Sequence, residues 1–211
     1  EQKGKLVRLF AAWDNQRSRI VFGQGTFNDE QDIESQDAVY AAKKVGSKFQ
    51  ISELRPAGTA PIKRYGSCAA YVYDKDAGLD GMVVLGGQEG APERIPATTY
   101  KEVWWLDFKK NAANGEWVNI TSRFDNMDSF GARREGGCAY DAASKSFYSW
   151  MGRTSGTYPD SSRRSTGVWR VNLAQLGDSA AKLSWERLAK DNTKGIEGRR
   201  LFPSIWDAAN K

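Results

Sequence analysis

Short runs of apolar residues along this chain alternate with polar residues at a period close to two, and turn-forming residues separate the runs. The pattern is clearest in RIVFGQ at 19–24, MVVLGGQ at 82–88 and SFYSWMGR at 146–153. Such alternation, bounded by turn residues, indicates β-strands rather than sustained helices. Only the connection at 172–183 has the composition of a helical turn. We therefore expect an all-β fold.

The strand pattern repeats at a step of about 65 residues. Each of the three runs ends on a glycine, and these glycines, Gly23, Gly87 and Gly152, lie 64 and 65 residues apart. An arginine leads into the first strand of each repeat, and one aromatic residue marks the third strand and another the fourth. The aromatic sets are Tyr40, Trp105 and Trp169 for the third strand, and Phe49, Trp117 and Trp185 for the fourth.

Four short strands per repeat divide the chain into units of similar length. The units lie at roughly 6–54, 61–121 and 130–189, and the first strand of a fourth unit follows at 198–211. Because the repeats cover nearly the whole chain, we treat 1–211 as a single repeat domain.

The unit at 61–121 resembles the kelch repeat of β-propellers. It contains PIKRYGSCAAYVYD, MVVLGGQ, YKEVWWLDF and EWVNI in that order. The resemblance implies a kelch-like propeller of about three four-stranded blades plus the first strand of a fourth. It also assigns structural positions to four glycines beside the hub and to four tryptophans between blades, namely Gly23, Gly86, Gly87, Gly152, Trp105, Trp117, Trp169 and Trp185.

A glycine beside the hub has a physical role, because a residue without Cβ can adopt φ > 0 and lets another backbone approach closely. Propellers close with about four to eight blades. Three blades form an open arc that exposes apolar faces and strand edges. We therefore expect further sequence or another chain to complete the ring.

The charge of the chain is basic but evenly distributed. There are 31 Lys and Arg residues against 26 Asp and Glu, with a pI near 9.1. Nucleic-acid binding requires a clustered basic face, so we expect no nucleic-acid partner. No apolar run approaches the roughly 20 residues of a membrane-spanning helix, so we expect no membrane span.

The absence of histidine from the sequence restricts the chemistry. It excludes histidine-based triads, histidine general bases and imidazole metal ligands, including the copper site of galactose-oxidase-type propellers. Cys68 and Cys138 are too few for a cysteine zinc site. Because matching positions of neighbouring blades lie too far apart for a bridge, we expect two buried thiols. We predict no catalytic residue, metal site or cofactor.

Three arginines enter the first strands at matching positions, and these are Arg64, Arg133 and Arg200, with Arg8 as a looser match. One interpretation is that each guanidinium binds carbonyl and carboxylate groups and joins neighbouring blades. The other is an arginine ring around the channel mouth that holds an acidic ligand, since the guanidinium fork matches a carboxylate.

The extra length of each repeat lies between its second and third strands, at 24–37, 88–101 and 153–166. Insertions in repeat folds collect on one face, which is often the binding face. The candidate binding residues here are acidic in the first loop and basic in the third, namely Asp29, Glu30, Asp32, Arg153, Arg163 and Arg164. The acidic loop lacks a calcium-loop pattern, so we favour a protein contact over Ca²⁺.

These features predict a non-catalytic binding or assembly module that contacts a protein or glycan partner through the loops between strands two and three. Two alternatives remain open. The chain could belong to a secreted carbohydrate-active or oxidising enzyme whose catalytic residues lie elsewhere, or to a structural subunit of a larger complex. We favour an extracellular location, in which the NIT sequon at Asn119 could carry a glycan.

Overall fold

The computed structural model describes residues 5–28, 33–89, 98–154 and 165–189. Strands dominate these ranges, which contain one four-residue α-helix, Met127–Phe130, and a 3-10 turn at Thr121–Arg123. The prediction of an all-β fold is confirmed. The connection at 172–183 contains turns and no helix. The strands in chain order are β1 (Lys5–Val7), β2 (Phe10–Asp14), β3 (Arg19–Gly23), β4 (Thr26–Asn28), β5 (Ile33–Ser35), β6 (Val39–Val45), β7 (Lys48–Leu54), β8 (Ala57–Gly58), β9 (Cys68–Asp74), β10 (Leu79–Leu85), β11 (Val103–Asp107), β12 (Glu116–Asn119), β13 (Phe124–Asp125), β14 (Arg133–Arg134), β15 (Gly137–Asp141), β16 (Ser146–Trp150), β17 (Arg153–Thr154), β18 (Val168–Asn172), β19 (Leu183–Ser184) and β20 (Glu186–Ala189).

Three four-stranded antiparallel arrays form the body of the molecule. Sheet I consists of β2, β3, β6 and β7, sheet II of β9, β10, β11 and β12, and sheet III of β15, β16, β18 and β20. In each sheet the four strands lie side by side in chain order, so every strand pairs with the one that follows it in that sheet. Sheet II has a fifth strand, because β8 pairs in parallel with the outer edge of β12.

Sheet II is buried on both faces. Along β10, Met82 and Val84 join a buried cluster with Phe10 of sheet I, whereas Val83 and Leu85 join the cluster shared with sheet III. Successive strand residues point to opposite faces, so the three sheets are stacked face to face with sheet II in the middle.

The first strands of the three sheets lie together, because β2 contacts β9 and β9 contacts β15. Backbone hydrogen bonds link the residues just before these strands: the Gly66 N–H donates to the Arg8 carbonyl at 2.8 Å, and the Glu135 N–H donates to the Gly66 carbonyl at 2.6 Å. All three residues have positive φ, 55°, 68° and 58° for Arg8, Gly66 and Glu135. The predicted match of Arg8 to Arg64 and Arg133 is therefore wrong, since Arg8 occupies the position of Gly66 and Glu135.

Strand register also changes the alignment of the third-strand aromatic residues. Trp169 is the second residue of β18, and the second residues of β11 and β6 are Trp104 and Tyr40. Trp104, not Trp105, is therefore the equivalent of Trp169. Trp105 is also buried, but its side chain points toward sheet III instead of sheet I. The one-residue difference was hidden because both positions in the sequence carry tryptophan.

The predicted equivalence of Phe49, Trp117 and Trp185 on the fourth strands is wrong for Phe49. Trp117 pairs with Leu106, the fourth residue of β11, and the residue that pairs with the fourth residue of β6 is Ile51. Phe49 lies two residues earlier and is 60% exposed. Trp117 is buried and packs edge-to-face on Trp104 with ring centroids 6.3 Å apart.

Cys68 and Cys138 form a disulfide between sheets II and III, so the prediction of two free buried thiols is wrong. Cys68 is the first residue of β9, but Cys138 is the second residue of β15. This offset of one residue turns the two side chains toward each other, and their Cα atoms lie 5.8 Å apart, within the range that a bridge requires. Matching positions would point in the same direction and could not bond.

Sheets I and II are also joined by a charged network at the end of the first hairpin. Arg17 donates to Asp80 Oδ2 at 2.6 Å and to Asp14 Oδ1 at 3.2 Å, and its guanidinium lies 4.9 Å from the ring centroid of Phe108. The Tyr71 hydroxyl donates to Asp80 Oδ1 at 2.5 Å. Burial alone would raise the pKa of Asp80, but the hydrogen bonds from Arg17 and Tyr71 outweigh it and lower that pKa.

Removal of the disulfide tests its contribution to the fold. We expect the double substitution Cys68→Ala and Cys138→Ala to lower the free energy of unfolding by about 2–5 kcal/mol, because the bridge closes a long loop in the unfolded chain. Urea denaturation monitored by tryptophan fluorescence measures this. Dithiothreitol should destabilise the wild type and leave the variant unchanged; equal sensitivity of both proteins would contradict the assignment.

Acid should weaken the junction between sheets I and II. Since the folded pKa of Asp80 is lowered, its ionisation stabilises the fold above the unfolded value of about 3.9, and this contribution disappears as the pH falls through the folded pKa. We expect Asp80→Asn to be less stable than the wild type near about pH 6, with the difference shrinking toward about pH 3. A difference that is independent of pH in urea titrations would refute the role of this carboxylate.

Candidate binding face

The loops between strands two and three begin at left-handed residue pairs. These pairs are Gln24-Gly25 in sheet I, Gly86-Gly87 in sheet II and Met151-Gly152 in sheet III, and every member has a φ between 52° and 98°. The position of Gly87 in sheet I is therefore taken by Gly25, so the predicted match to Gly23 is wrong by two residues. Gly23 instead allows close packing, because a Cβ there would lie 2.5 Å from the carbonyl oxygen of Ala38.

Gly25 and Gly87 each tie their loop to the chain that enters the next sheet. The Gly25 N–H donates to the Arg64 carbonyl at 2.8 Å, and the Gly87 N–H donates to the Arg133 carbonyl at 2.8 Å. A Cβ on Gly86 would lie 2.2 Å from the same Arg133 carbonyl oxygen. This close approach explains why two glycines follow Leu85 at the end of β10: neither position has room for a Cβ, and both residues adopt the left-handed conformation of the turn.

A second tier of strand pairs extends from the sheets at the base of the loops. In sheet I, β1 pairs with β4, and β4 pairs with β5. In sheet II, Gln88 forms bridges with Tyr65 and Thr99, and β14 pairs with β17 beside sheet III. All three loops therefore leave from the ends of the second strands on one side of the molecule, which we call the loop face.

Arg64 lies inside the base of the loop face. The residue is 1% exposed, and its guanidinium donates to the carbonyl oxygens of Ile62 at 2.9 Å and Gly86 at 3.1 Å and to Glu102 Oε2 at 2.7 Å. It also stacks over Tyr100 at 4.2 Å from the ring centroid. These contacts join the entering chain, the glycine turn and the returning limb of the loop. All of these groups belong to the repeat 61–121, so the Arg64 guanidinium stabilises its own repeat and bonds to no neighbouring sheet in the described part of the chain.

Arg133 occupies the matching position before sheet III and is also buried. Its Nε and Nη2 donate to the Phe130 carbonyl at 3.0 and 2.8 Å, and its Nη1 donates to Ser165 Oγ at 3.2 Å. The guanidinium lies over the rings of Phe130 and Trp169, 4.3 and 5.4 Å from their centroids. The geometry is again that of a cation held between aromatic rings and loop backbone.

Arg153 belongs to a buried polar cluster where the first strands meet. It pairs through its backbone with Arg134, and both lie close enough to affect Tyr65 electrostatically. Burial raises the pKa of Tyr65, and the positive charges oppose this shift. Arg8 lies over the Tyr65 ring at 5.4 Å and approaches Glu135 at 3.9 Å. The sequence pattern identified Arg153 but not Tyr65, Arg134 or Glu135. These three residues lie within two positions of Arg64 or Arg133.

The other predicted binding residues lie outside the described residues. They are Asp29, Glu30, Asp32, Arg163, Arg164 and Arg200. Within the described ranges, no group of three or more His, Cys, Asp or Glu residues is arranged to hold a metal ion. A cleft between sheets II and III beside Cys68 and Arg133 has a volume of about 10 Å³, which suits a single water molecule.

Comparisons with known proteins support the fold alone. No protein-family model and no curated protein sequence matches this chain. Among solved structures, it is similar to a chain in the cryo-EM structure of RAG in complex with one melted and one unmelted RSS, with a TM-score of 0.61 and 16% identity over 89% of this chain and 52% of that chain. It is also similar to YjhT, with a TM-score of 0.56 and 12% identity over 91% of this chain and 54% of that chain.

This chain therefore spans about half the length of those two solved chains. The shared feature is an all-β fold of several antiparallel sheets. In the part of the chain that the structure describes, no helix has the length and apolar character needed to cross a membrane.

Substitution of Arg64 distinguishes a structural role of its guanidinium from a role in holding an acidic ligand. We expect Arg64→Leu to lower the free energy of unfolding by about 1–3 kcal/mol, because it removes the hydrogen bonds that the buried guanidinium donates to Ile62, Gly86 and Glu102. The exposed Arg55 provides the matched control, and Arg55→Leu should change stability by less than about 0.5 kcal/mol. If Arg64→Leu is as stable as the control, the buried guanidinium does not stabilise the base of the loop face.

Proposed function

We propose that the chain is part of a kelch-type β-propeller that acts as a non-catalytic binding module and contacts a protein or glycan partner through the loop face. The common anchoring of the loops carries this proposal. Gly25 and Gly87 make the same hydrogen bond to the chain entering the next sheet, so neighbouring loops are held at a fixed spacing. Loops fixed on a rigid scaffold are the usual location of binding residues.

The propeller interpretation is supported by the stacking of the sheets. Three sheets of the same topology pack face to face, and their first strands lie together. Positive-φ residues at Arg8, Gly66 and Glu135 bring the entering chains together at this centre. A radial arrangement with first strands innermost is the geometry that the kelch resemblance implies.

The charges and aromatic groups at the base of the loop face favour a polar partner. Tyr100 and Glu89 are joined by a hydrogen bond of 2.5 Å on the second loop, and Lys101 contacts Asp128. Hydroxyl, carboxylate and ammonium groups that are partly exposed can exchange hydrogen bonds with a sugar or with a polar protein surface.

The disulfide favours a secreted module. Structural disulfides form and persist in oxidising compartments and are rare in the cytosol. The Cys68–Cys138 bridge joins two sheets across 70 residues of sequence, so its reduction would affect the packing of the domain. An extracellular location agrees with a role in contacting glycans or other secreted proteins.

Surface variants test the assignment of the loop face. The wild type is screened against an array of neutral, sulfated and uronic-acid-containing oligosaccharides and against peptides displayed on phage. We expect Glu89→Lys with Thr98→Lys to weaken the binding of any ligand found by at least about tenfold, which corresponds to 1.4 kcal/mol. Both residues are exposed at the base of the second loop.

The matched control lies at the opposite end of sheet II. Lys75 and Asp76 are exposed in the hairpin between the first two strands of that sheet, and Lys75→Glu with Asp76→Lys should leave binding unchanged. Circular dichroism confirms that both variants fold. No ligand in either screen, or an equal loss of binding in the control, would reject the proposed function.

A further inference from the structure

The buried arginine of sheet II belongs to a group of three side chains that meet at one oxygen atom. Arg64 donates to Glu102 Oε2 at 2.7 Å, and the indole N–H of Trp104 donates to the same oxygen at 2.8 Å. Both donors are buried, so a single carboxylate satisfies them together. The Glu102 side chain is 28% exposed, so the side chain that supplies the acceptor reaches the surface of the loop face.

Backbone hydrogen bonds locate the same positions in the other two sheets. In each sheet, the first left-handed residue of the turn donates its N–H to the carbonyl of the residue at the carboxylate position, at 2.8, 2.9 and 3.2 Å in sheets I, II and III. The indole position follows two residues later, as the second residue of the third strand. The residues at the carboxylate position are Ala38, Glu102 and Gly167, and those at the indole position are Tyr40, Trp104 and Trp169.

Sheet I has none of the three polar groups. Leu6 stands at the arginine position, two residues before Arg8. Ala38 stands at the carboxylate position and Tyr40 at the indole position. Where the guanidinium and the indole are absent, the carboxylate is absent as well.

Sheet III keeps both donors but not the acceptor. Arg133 and Trp169 are 6% and 4% exposed, whereas the residue at the carboxylate position is Gly167. Within the described ranges, the indole N–H of Trp169 has no hydrogen-bond acceptor. A buried donor without an acceptor is unfavourable. The presence of the indole without its carboxylate therefore points to an acceptor that sheet III does not itself supply.

Small residues surround this position in sheet III. Ser165 stands where sheet II has Tyr100, because each donates its N–H to the carbonyl of the second glycine of its turn, at 3.0 and 2.8 Å. A serine and a glycine thus replace a tyrosine and a glutamate. The water-sized cleft described above is lined by Arg133 and by Ser149, the cross-strand partner of Trp169. Unfilled space of about the size of one oxygen atom therefore borders on both donor-bearing segments.

The positive charge at this position favours an anionic acceptor. The guanidinium groups of Arg133 and Arg187 each lie 5.4 Å from the ring centroid of Trp169. Hydrogen bonds between a guanidinium and a carboxylate are stronger than those between neutral groups. A carboxylate oxygen is also the acceptor that Glu102 supplies to the same pair of donors in sheet II.

We propose that the base of the third loop binds a carboxylate group of the ligand, whose oxygen accepts from the Trp169 indole N–H beside the Arg133 guanidinium. This site deepens the proposed function and rests on the loop face as the binding surface, because it names the chemical group that the face recognises. Uronic acids of glycans and acidic side chains of peptides both carry that group.

The indole N–H signals in the nuclear magnetic resonance spectrum of isotope-labelled protein test this site directly. Trp169→Phe and Trp104→Phe identify the two signals. Acetate and glucuronate should shift the Trp169 signal in a saturable way and leave the Trp104 signal unchanged, because that N–H is already bonded to Glu102. Glucose should shift neither signal. A Trp169 signal that does not respond to carboxylates, or an equal response of the Trp104 signal, would overturn the proposal.

Restoring the missing carboxylate is a second test. Gly167→Glu places a carboxylate where sheet II has Glu102, so glucuronate binding measured by calorimetry should weaken by at least about tenfold. Trp169→Phe keeps an aromatic ring without the N–H and should weaken binding similarly, which covers a failure of the first variant to fold. Ala38→Glu is the matched control, because it adds the same group at the equivalent position of sheet I, and it should leave binding unchanged. Wild-type affinity in Gly167→Glu and Trp169→Phe would overturn the site.

Further comparisons identify the source of the carboxylate and separate this site from the proposed function. Tighter binding of glucuronate than of N-acetylglutamate would assign the group to a sugar, and the reverse would assign it to a peptide. If Glu89→Lys with Thr98→Lys abolishes binding of the array ligand but Gly167→Glu does not affect it, the carboxylate site is overturned and the loop face stands. If carboxylates shift the Trp169 signal but neither screen yields a ligand, the site stands and the proposed function fails.

Discussion

Burial of sheet II on both faces is the constraint on which the rest of this structure depends. A sheet with one solvent-facing side can alternate apolar and polar residues, but a central sheet cannot. The run Met82–Leu85 is therefore continuously apolar, with consecutive residues packing against different sheets. The same requirement explains Trp104 and Trp105, adjacent indoles that fill opposite junctions. Because a whole face of each sheet packs against its neighbour, this packing fixes the positions of the three sheets relative to one another.

That fixed stacking determines the geometry of the loop face. The first strands converge, and left-handed residues such as Gly66 turn each entering chain into its sheet. The glycine turns at Gly25 and Gly87 then bond to the chain entering the neighbouring sheet. The first and second loops are consequently anchored by two sheets rather than one. Arg64 and Arg133 reinforce the anchoring from within, so their charge contributes to the rigidity of the face that the loops present.

Strand periodicity and the spacing of glycines and aromatic residues were sufficient to predict an all-β fold and the approximate positions of the strands. They did not fix which residues of successive repeats are structurally equivalent. The loops differ in length, and a shift of one or two residues places a similar residue type at the position compared. Gly23 was taken for Gly25 and Trp105 for Trp104 in this way. The disulfide escaped prediction for the same reason: Cys68 and Cys138 appear equivalent in sequence, whereas a one-residue offset in strand register turns them toward each other.

Paired substitutions at Val83 and Val84 test the two-sided burial of sheet II most directly. Both valines are 1% exposed and adjacent on β10. Val→Thr conserves shape but buries a hydroxyl group, which costs about 1–3 kcal/mol. The stacked arrangement predicts that Val83→Thr and Val84→Thr each lower the free energy of urea-induced unfolding by an amount in this range. A sheet with one exposed face would tolerate one of the two with a change below about 0.5 kcal/mol, and that result would contradict the account.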